Sequence, residues 1–166
     1  MNSATLNRDG VRRTLEPANK SFWLSRLCDQ NYQKLVRLLP CPLYELPDDL
    51  VGTTPGGPDL LLRCLELSPY TATIQLTHLF SNQDCPSLEP GMVMRVYLDA
   101  CSIEALHDHQ RAGACSCQPY YGVEMLARKW ELNYFLSTWL DHCIRCDYQF
   151  EFESAGQRGA ERIGSF

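Results

Sequence analysis

Apolar residues recur every three or four positions near both ends of the chain and every second position between them. Leu24, Leu27, Cys28, Leu35, Leu38 and Leu39 follow the first spacing. This predicts a helix from about Ser21, with Asn19 or Ser21 as its N-cap. Pro40 and Pro42 end it, because proline lacks the amide hydrogen and restricts the residue before it. Trp130, Asn133, Tyr134, Leu136, Leu140 and Cys143, flanked by Phe135 and Trp139, approximate a second stripe and predict a helix over about 127–146.

Between the helices, the mostly apolar run Leu60–Leu67 predicts a short strand buried on both faces. After a turn at Ser68-Pro69-Tyr70, Thr71, Thr73, Gln75 and Thr77 alternate with Ala72, Ile74, Leu76 and His78, so a half-buried strand completes a hairpin. Met92–Leu98 alternates again, with Met94, Val96 and Leu98 on one face and Arg95, Tyr97 and Asp99 on the other. Ser102–Leu106 continues the period, leaving Asp99-Ala100 as either a hairpin turn or a bulge. Tyr120–Leu126 reads as a short element without a clear period, and Tyr148–Glu153 as a last strand. Residues 41–58, 81–91 and 107–119 read as loops, the first marked by Pro47, Pro55, Gly56, Gly57 and Pro58.

The fold class expected is α+β: a single domain over residues 19–153, with an antiparallel meander of four to five strands packed with an N-terminal and a C-terminal helix. Residues 1–18 and 154–166 read as disordered tails, being polar and without periodicity.

Composition narrows the function classes. At 166 residues, with 45% hydrophobic and 21% charged residues, the chain has the balance of one globular domain. It holds no run near the ~20 apolar residues of a membrane span, so no membrane partner is expected. Its first twenty residues hold no apolar segment, so no secretory signal is expected and the location expected is cytoplasmic. Nine cysteines without such a signal read as reduced thiols. The net charge of −5 argues against bulk nucleic-acid binding. That charge is uneven: +4 over residues 1–40, −10 over 41–154 and +1 over the last twelve.

Four segments carry a resemblance. The first helix has Cys28, Asn31-Tyr32, Leu35 and Arg37-Leu38-Leu39-Pro40; the first hairpin has Glu66 and Tyr70-Thr71. The third strand has Arg95, Tyr97, Asp99-Ala100 and Glu104; the last helix has Asn133, Phe135-Leu136 and Trp139-Leu140. In order and spacing, over roughly residues 22–146, the chain resembles the YqiB-like family of small bacterial proteins, found mainly in gammaproteobacteria. The resemblance implies a small intracellular bacterial protein of unknown function, with no catalytic residues to carry over.

Three constellations remain. Glu66, Tyr70, Arg95, Tyr97, Asp99 and Glu104 place an arginine among carboxylates and phenols. That set suits a polar ligand gripped in bidentate fashion, acid–base work or a magnesium ion; the alternative is a solvated sheet face with cross-strand pairs. Arg26, Lys34 and Arg37 form a basic face on the first helix, either a partner surface or an ordinary wet face. Cys143-x-x-Cys146 with Cys115-x-Cys117 has the ligand spacing for zinc, although buried cysteines also serve as small apolar residues. His78 falls on the apolar side of its strand and reads as a core histidine. No nucleophile elbow, P-loop or dinucleotide fingerprint is present, so nothing commits the chain to catalysis. The expectation is a non-enzymatic binding module for a protein or small polar ligand. The alternatives are an enzyme acting on a small polar or phosphorylated metabolite, and a zinc-stabilised structural domain.

Overall fold

Asn19 caps the first helix by accepting the Phe22 N–H on its side-chain oxygen at 3.2 Å, which satisfies a donor that has no intrahelical partner. The computed structural model describes residues 19–80, 87–108 and 122–151. The expected tails over 1–18 and 154–166 lie outside those residues. Helix α1 runs Lys20–Leu38 and buries Leu27, Cys28, Asn31, Leu35 and Leu38. Strands β1 (Asp49–Thr53), β2 (Asp59–Leu67), β3 (Thr71–Phe80), β4 (Ser87–Tyr97) and β5 (Ser102–Asp108) follow, then helix α2 (Val123–Arg145) and strand β6 (Gln149–Glu151).

The six strands form one antiparallel sheet in the order β5-β4-β3-β2-β1-β6. The fold is thus the expected α+β domain with a helix from each end of the chain. Leu60, Leu62, Ile74, Leu76, Met94 and Ile103 point to one face and are fully buried there, in one core with Leu35 of α1 and Leu136 and Leu140 of α2. The helices lie side by side in the same direction: Asn31 bonds to Asn133, and Lys34 to Ser137 and Asp141.

Several expectations change. Residues 41–58 are not a continuous loop: they hold a 3-10 turn at Leu43–Glu45 and strand β1. The Pro/Gly cluster closes the β1–β2 hairpin. Gly57 N–H bonds to Thr54 O at 3.3 Å with Gly56 at φ +72°, the type II arrangement with Pro55 at its second position. Strand β2 is not buried on both faces. Leu60 and Leu62 go inward, while Arg63 on the other face and Leu65 at the register shift are exposed, because both helices cover the same side of the sheet; Leu67, opposite buried Ala72, is exposed at the end of the strand. Strand β4 begins at Ser87, inside the expected loop, and Pro90 sits where the β3–β4 register shifts, so its missing N–H leaves no ladder bond unmade. Asp99-Ala100 is a turn: Leu98–Cys101 join β4 to β5, with Cys101 at φ +49°. Helix α2 starts at Val123, so part of the short element expected at Tyr120–Leu126 is its first turn.

Candidate functional site

The register decides which candidate residues meet. Glu66 pairs with Thr73, Thr73 with Arg95, and Arg95 with Glu104. Residues opposite one another share a face, so Glu66, Thr73, Arg95 and Glu104 form one row across four strands, on the side away from the helices. Arg95 is exposed and makes no ion pair with a described residue. Glu104 turns instead to the helix layer. Its carboxylate meets the Lys129 ammonium at 2.5 Å, and this hydrogen bond raises the Lys129 pKa. Tyr97 lies one row along the face, its hydroxyl 3.5 Å from Glu104 Oε2. Tyr70 sits in the β2–β3 turn, 69% exposed. Asp99 does not join this face. It lies in the β4–β5 turn, where its carboxylate accepts the Ala100 N–H at 2.9 Å.

The basic face of α1 divides. At about 100° per residue, Arg26, Gln30, Gln33 and Arg37 fall within about 60° of one another. Lys34 stands about 80° from Arg26, on the flank toward α2. There it donates to Ser137 Oγ at 2.7 Å and pairs with Asp141 at 2.7 Å. Lys34 is therefore a clamp between the helices, and not part of the free basic face expected. Arg26 and Arg37 are exposed, without an ion pair to a described residue. Two shallow depressions of about 390 and 410 Å³ flank this stripe and share Gln33. One runs from Arg26, Asp29 and Gln30 to Ala100 and Cys101 of the β4–β5 turn. The other runs from Lys34 and Arg37 to Asp141, Ile144 and Arg145 of α2. The sequence reading missed Arg145. Its signal was only a basic residue in the last helical turn, which dipole compensation also explains.

Of the four candidate zinc ligands, Cys143 and Cys146 are described. Cys115 and Cys117 lie outside the described residues. Cys143 is buried, and burial with the nearby Cys146 pushes its thiol up to about 12, so it stays protonated and packs as a small apolar residue. Its sulfur lies 3.9 Å from His78 Nε2, while Cys146 lies 3.5 Å from His142 Nε2. Among the described residues no three His, Cys, Asp or Glu side chains converge as a metal set. The described cysteines Cys28, Cys41, Cys64, Cys101, Cys143 and Cys146 are all free. Nor is any described helix long and apolar enough to cross a membrane.

A junction of three elements lies between the two surfaces. Asn133 Oδ1 accepts the Ala105 N–H of edge strand β5 at 3.0 Å and faces Cys28 Sγ at 3.7 Å. Its Nδ2 donates to Lys129 O at 2.8 Å, and its main-chain oxygen accepts from Asn31 Nδ2 at 3.0 Å. Burial first, then the Glu104 carboxylate, raises the Cys28 thiol to about 11. Cys28, Asn31 and Asn133, which carry part of the resemblance, are thus joined in one structural node.

No solved structure matches the chain. "Uncharacterized protein YqiB" of Escherichia coli strain K12 is 28% identical over 127 residues, covering 73% of this chain and 86% of the relative. The protein of the same name in Escherichia coli O157:H7 matches to the same extent. The family model described as "Protein of unknown function (DUF1249)" matches residues 34–149. That span runs from the Lys34 clamp through the sheet and α2 into β6, and the chain belongs to this YqiB-like family.

Proposed function

We propose that the protein is a non-enzymatic interaction module of the cytoplasm that docks a partner on the outer stripe of α1. One observation carries this reading: Arg26 and Arg37 stand on one stripe with Gln30 and Gln33, flanked by two adjoining depressions, and neither guanidinium is paired to a described residue. An unpaired arginine keeps its forked donors free for a carboxylate, where charge-assisted bonds are stronger than neutral ones. Lys34 supports the surface by fixing α2 against α1. The free described thiols favour a reducing compartment. Affinity capture from a bacterial lysate tests the reading, with the whole chain and with Arg26→Gln/Arg37→Gln as baits. The double variant is expected to lose at least one partner that the wild type retains in quantity; identical partner lists remove the stripe from consideration.

A second reading rests on Arg95. The row Glu66–Thr73–Arg95 leaves one guanidinium and one carboxylate without a described ion-pair partner on the uncovered face. A small polar or phosphorylated metabolite would be gripped by Arg95, and in an enzymatic version Glu66 would take a proton. A thermal-shift screen with inorganic phosphate, citrate and nucleotides is expected to raise the melting temperature of the wild type and not of Arg95→Ala. A shift that persists in Arg95→Ala rejects this site.

A further inference from the structure

We propose that the α1 stripe binds an extended acidic segment of a partner protein, with two carboxylates held about five residues apart. This rests on the reading of the stripe as the docking surface and names what it recognises. Arg26 and Arg37 are eleven positions apart on one helix, which is about 16 Å at 1.5 Å per residue. An extended chain advances about 3.3 Å per residue, so about five residues span the two guanidinia. Between them stand Gln30 and Gln33, whose amides both donate and accept and so suit the backbone of a chain passing over them.

Charge sets the sign of the partner. Asp141 is neutralised by Lys34 at 2.7 Å, which leaves Arg37 and Arg145 as the net charge of one depression. In the other, Asp29 balances Arg26, so the net positive charge of the two depressions together is that of Arg37 and Arg145. The stripe is therefore a basic strip on a chain of net charge −5. A nucleic acid needs a broad basic surface because its charge is continuous. Carboxylates spaced along a peptide need only the separated arginines present.

The test selects dodecapeptides from a random phage-displayed library on the immobilised full chain, then measures synthetic copies by fluorescence anisotropy. The expected outcome is enrichment of peptides with two Asp or Glu residues four to six apart. Their binding should weaken at least tenfold in Arg26→Gln/Arg37→Gln, and at least tenfold when both peptide carboxylates become amides. Both substitutions are on exposed side chains, so the double variant should melt with the wild type. Enriched peptides without paired carboxylates, bound equally by both proteins, overturn the proposal and the stripe but leave an interaction module standing. Peptides that need the arginines but not their own carboxylates overturn the acidic specificity alone. Tighter binding of a single-stranded oligonucleotide than of any peptide overturns it in favour of phosphate recognition. No enrichment at all sinks both the inference and the docking surface beneath it.

Discussion

Replacing Asn133 by leucine is expected to cost about 3 kcal/mol of stability and to lower the melting temperature by roughly 6–12 °C. Asn133 is fully buried and supplies the acceptor for the Ala105 N–H at 3.0 Å. β5 is an edge strand and Ala105 is almost fully buried, so water cannot take over this bond. An orphaned buried donor costs about 1–3 kcal/mol, and the lost bond from Nδ2 to Lys129 O adds about 1 kcal/mol. Leucine matches asparagine in the number and branching of side-chain heavy atoms and keeps helix propensity, so no cavity opens; its bulkier methyl groups add some overpacking to the loss of polarity. Urea unfolding of the wild type, Asn133→Leu and Asn133→Ala separates the causes. A polar node makes both variants similarly unstable, with an unchanged slope against urea. If leucine restores stability to within about 1 kcal/mol of the wild type, the hydrogen bonds carry little of the energy and cavity filling carries the rest.

How far such features are legible depends on the range of the signal. The two helices and the strands after β1 were legible because each buries alternate or every third-to-fourth residue against a single layer. β1 was not: of its five residues, Leu50 and Gly52 are the buried ones, and prolines flank it. Gly52 is accepted there because the ring of Phe150 on β6 lies across it, 2.8 Å from where a Cβ would stand. That reason comes from a strand almost a hundred residues away. Leu60–Leu67 misled because an apolar run does not state how many faces are covered, and here both helices lie on one.

The candidate sites show the same limit. Counting by twos from inward Leu62 puts Glu66 inward, away from Arg95. The two share a face because the register shifts between Cys64 and Glu66, and a bulge of one residue reverses every side chain after it. Asp99 reads by alternation as a partner of Arg95, yet the strand ends at Tyr97. Lys34 shares charge with Arg26 and Arg37, but its angle around α1 brings it to Asp141. Residue type marked all these positions; pairing partners distant in sequence decided what each one does.

Lowering the pH from 7 to 5 is expected to cost the folded state about 2 kcal/mol through His78 alone. His78 is 5% exposed, and burial, with a smaller effect from the neighbouring His142, lowers its pKa from 6.5 to about 4. Its surroundings favour the neutral ring. Tyr148 donates its one hydroxyl hydrogen to Pro58 O at 2.9 Å, so the 3.2 Å contact between that oxygen and His78 Nε2 is donated by the ring. Cys143 at 3.9 Å is a protonated thiol, and Trp139 packs edge-on with ring centroids 5.3 Å apart. None of these groups offers a negative charge to an imidazolium. Below pH 6.5 the unfolded chain therefore takes up a proton that the folded chain refuses. The stability is complete above the unfolded value and is lost as pH falls toward about 4, at up to about 1.4 kcal/mol per unit. Ordinary carboxylates titrate mainly below this window, which leaves pH 7 to 5 to imidazoles, and with four histidines in the chain the His78→Gln comparison isolates this one. Unfolding free energies from urea titrations at pH 7, 6 and 5 should fall steeply for the wild type and by about 2 kcal/mol less for His78→Gln, whose amide can donate to Tyr148 but cannot ionise. Equal slopes in the two proteins would mean that His78 is protonated in the fold, and that the buried ring finds a counter-charge its described neighbours do not supply.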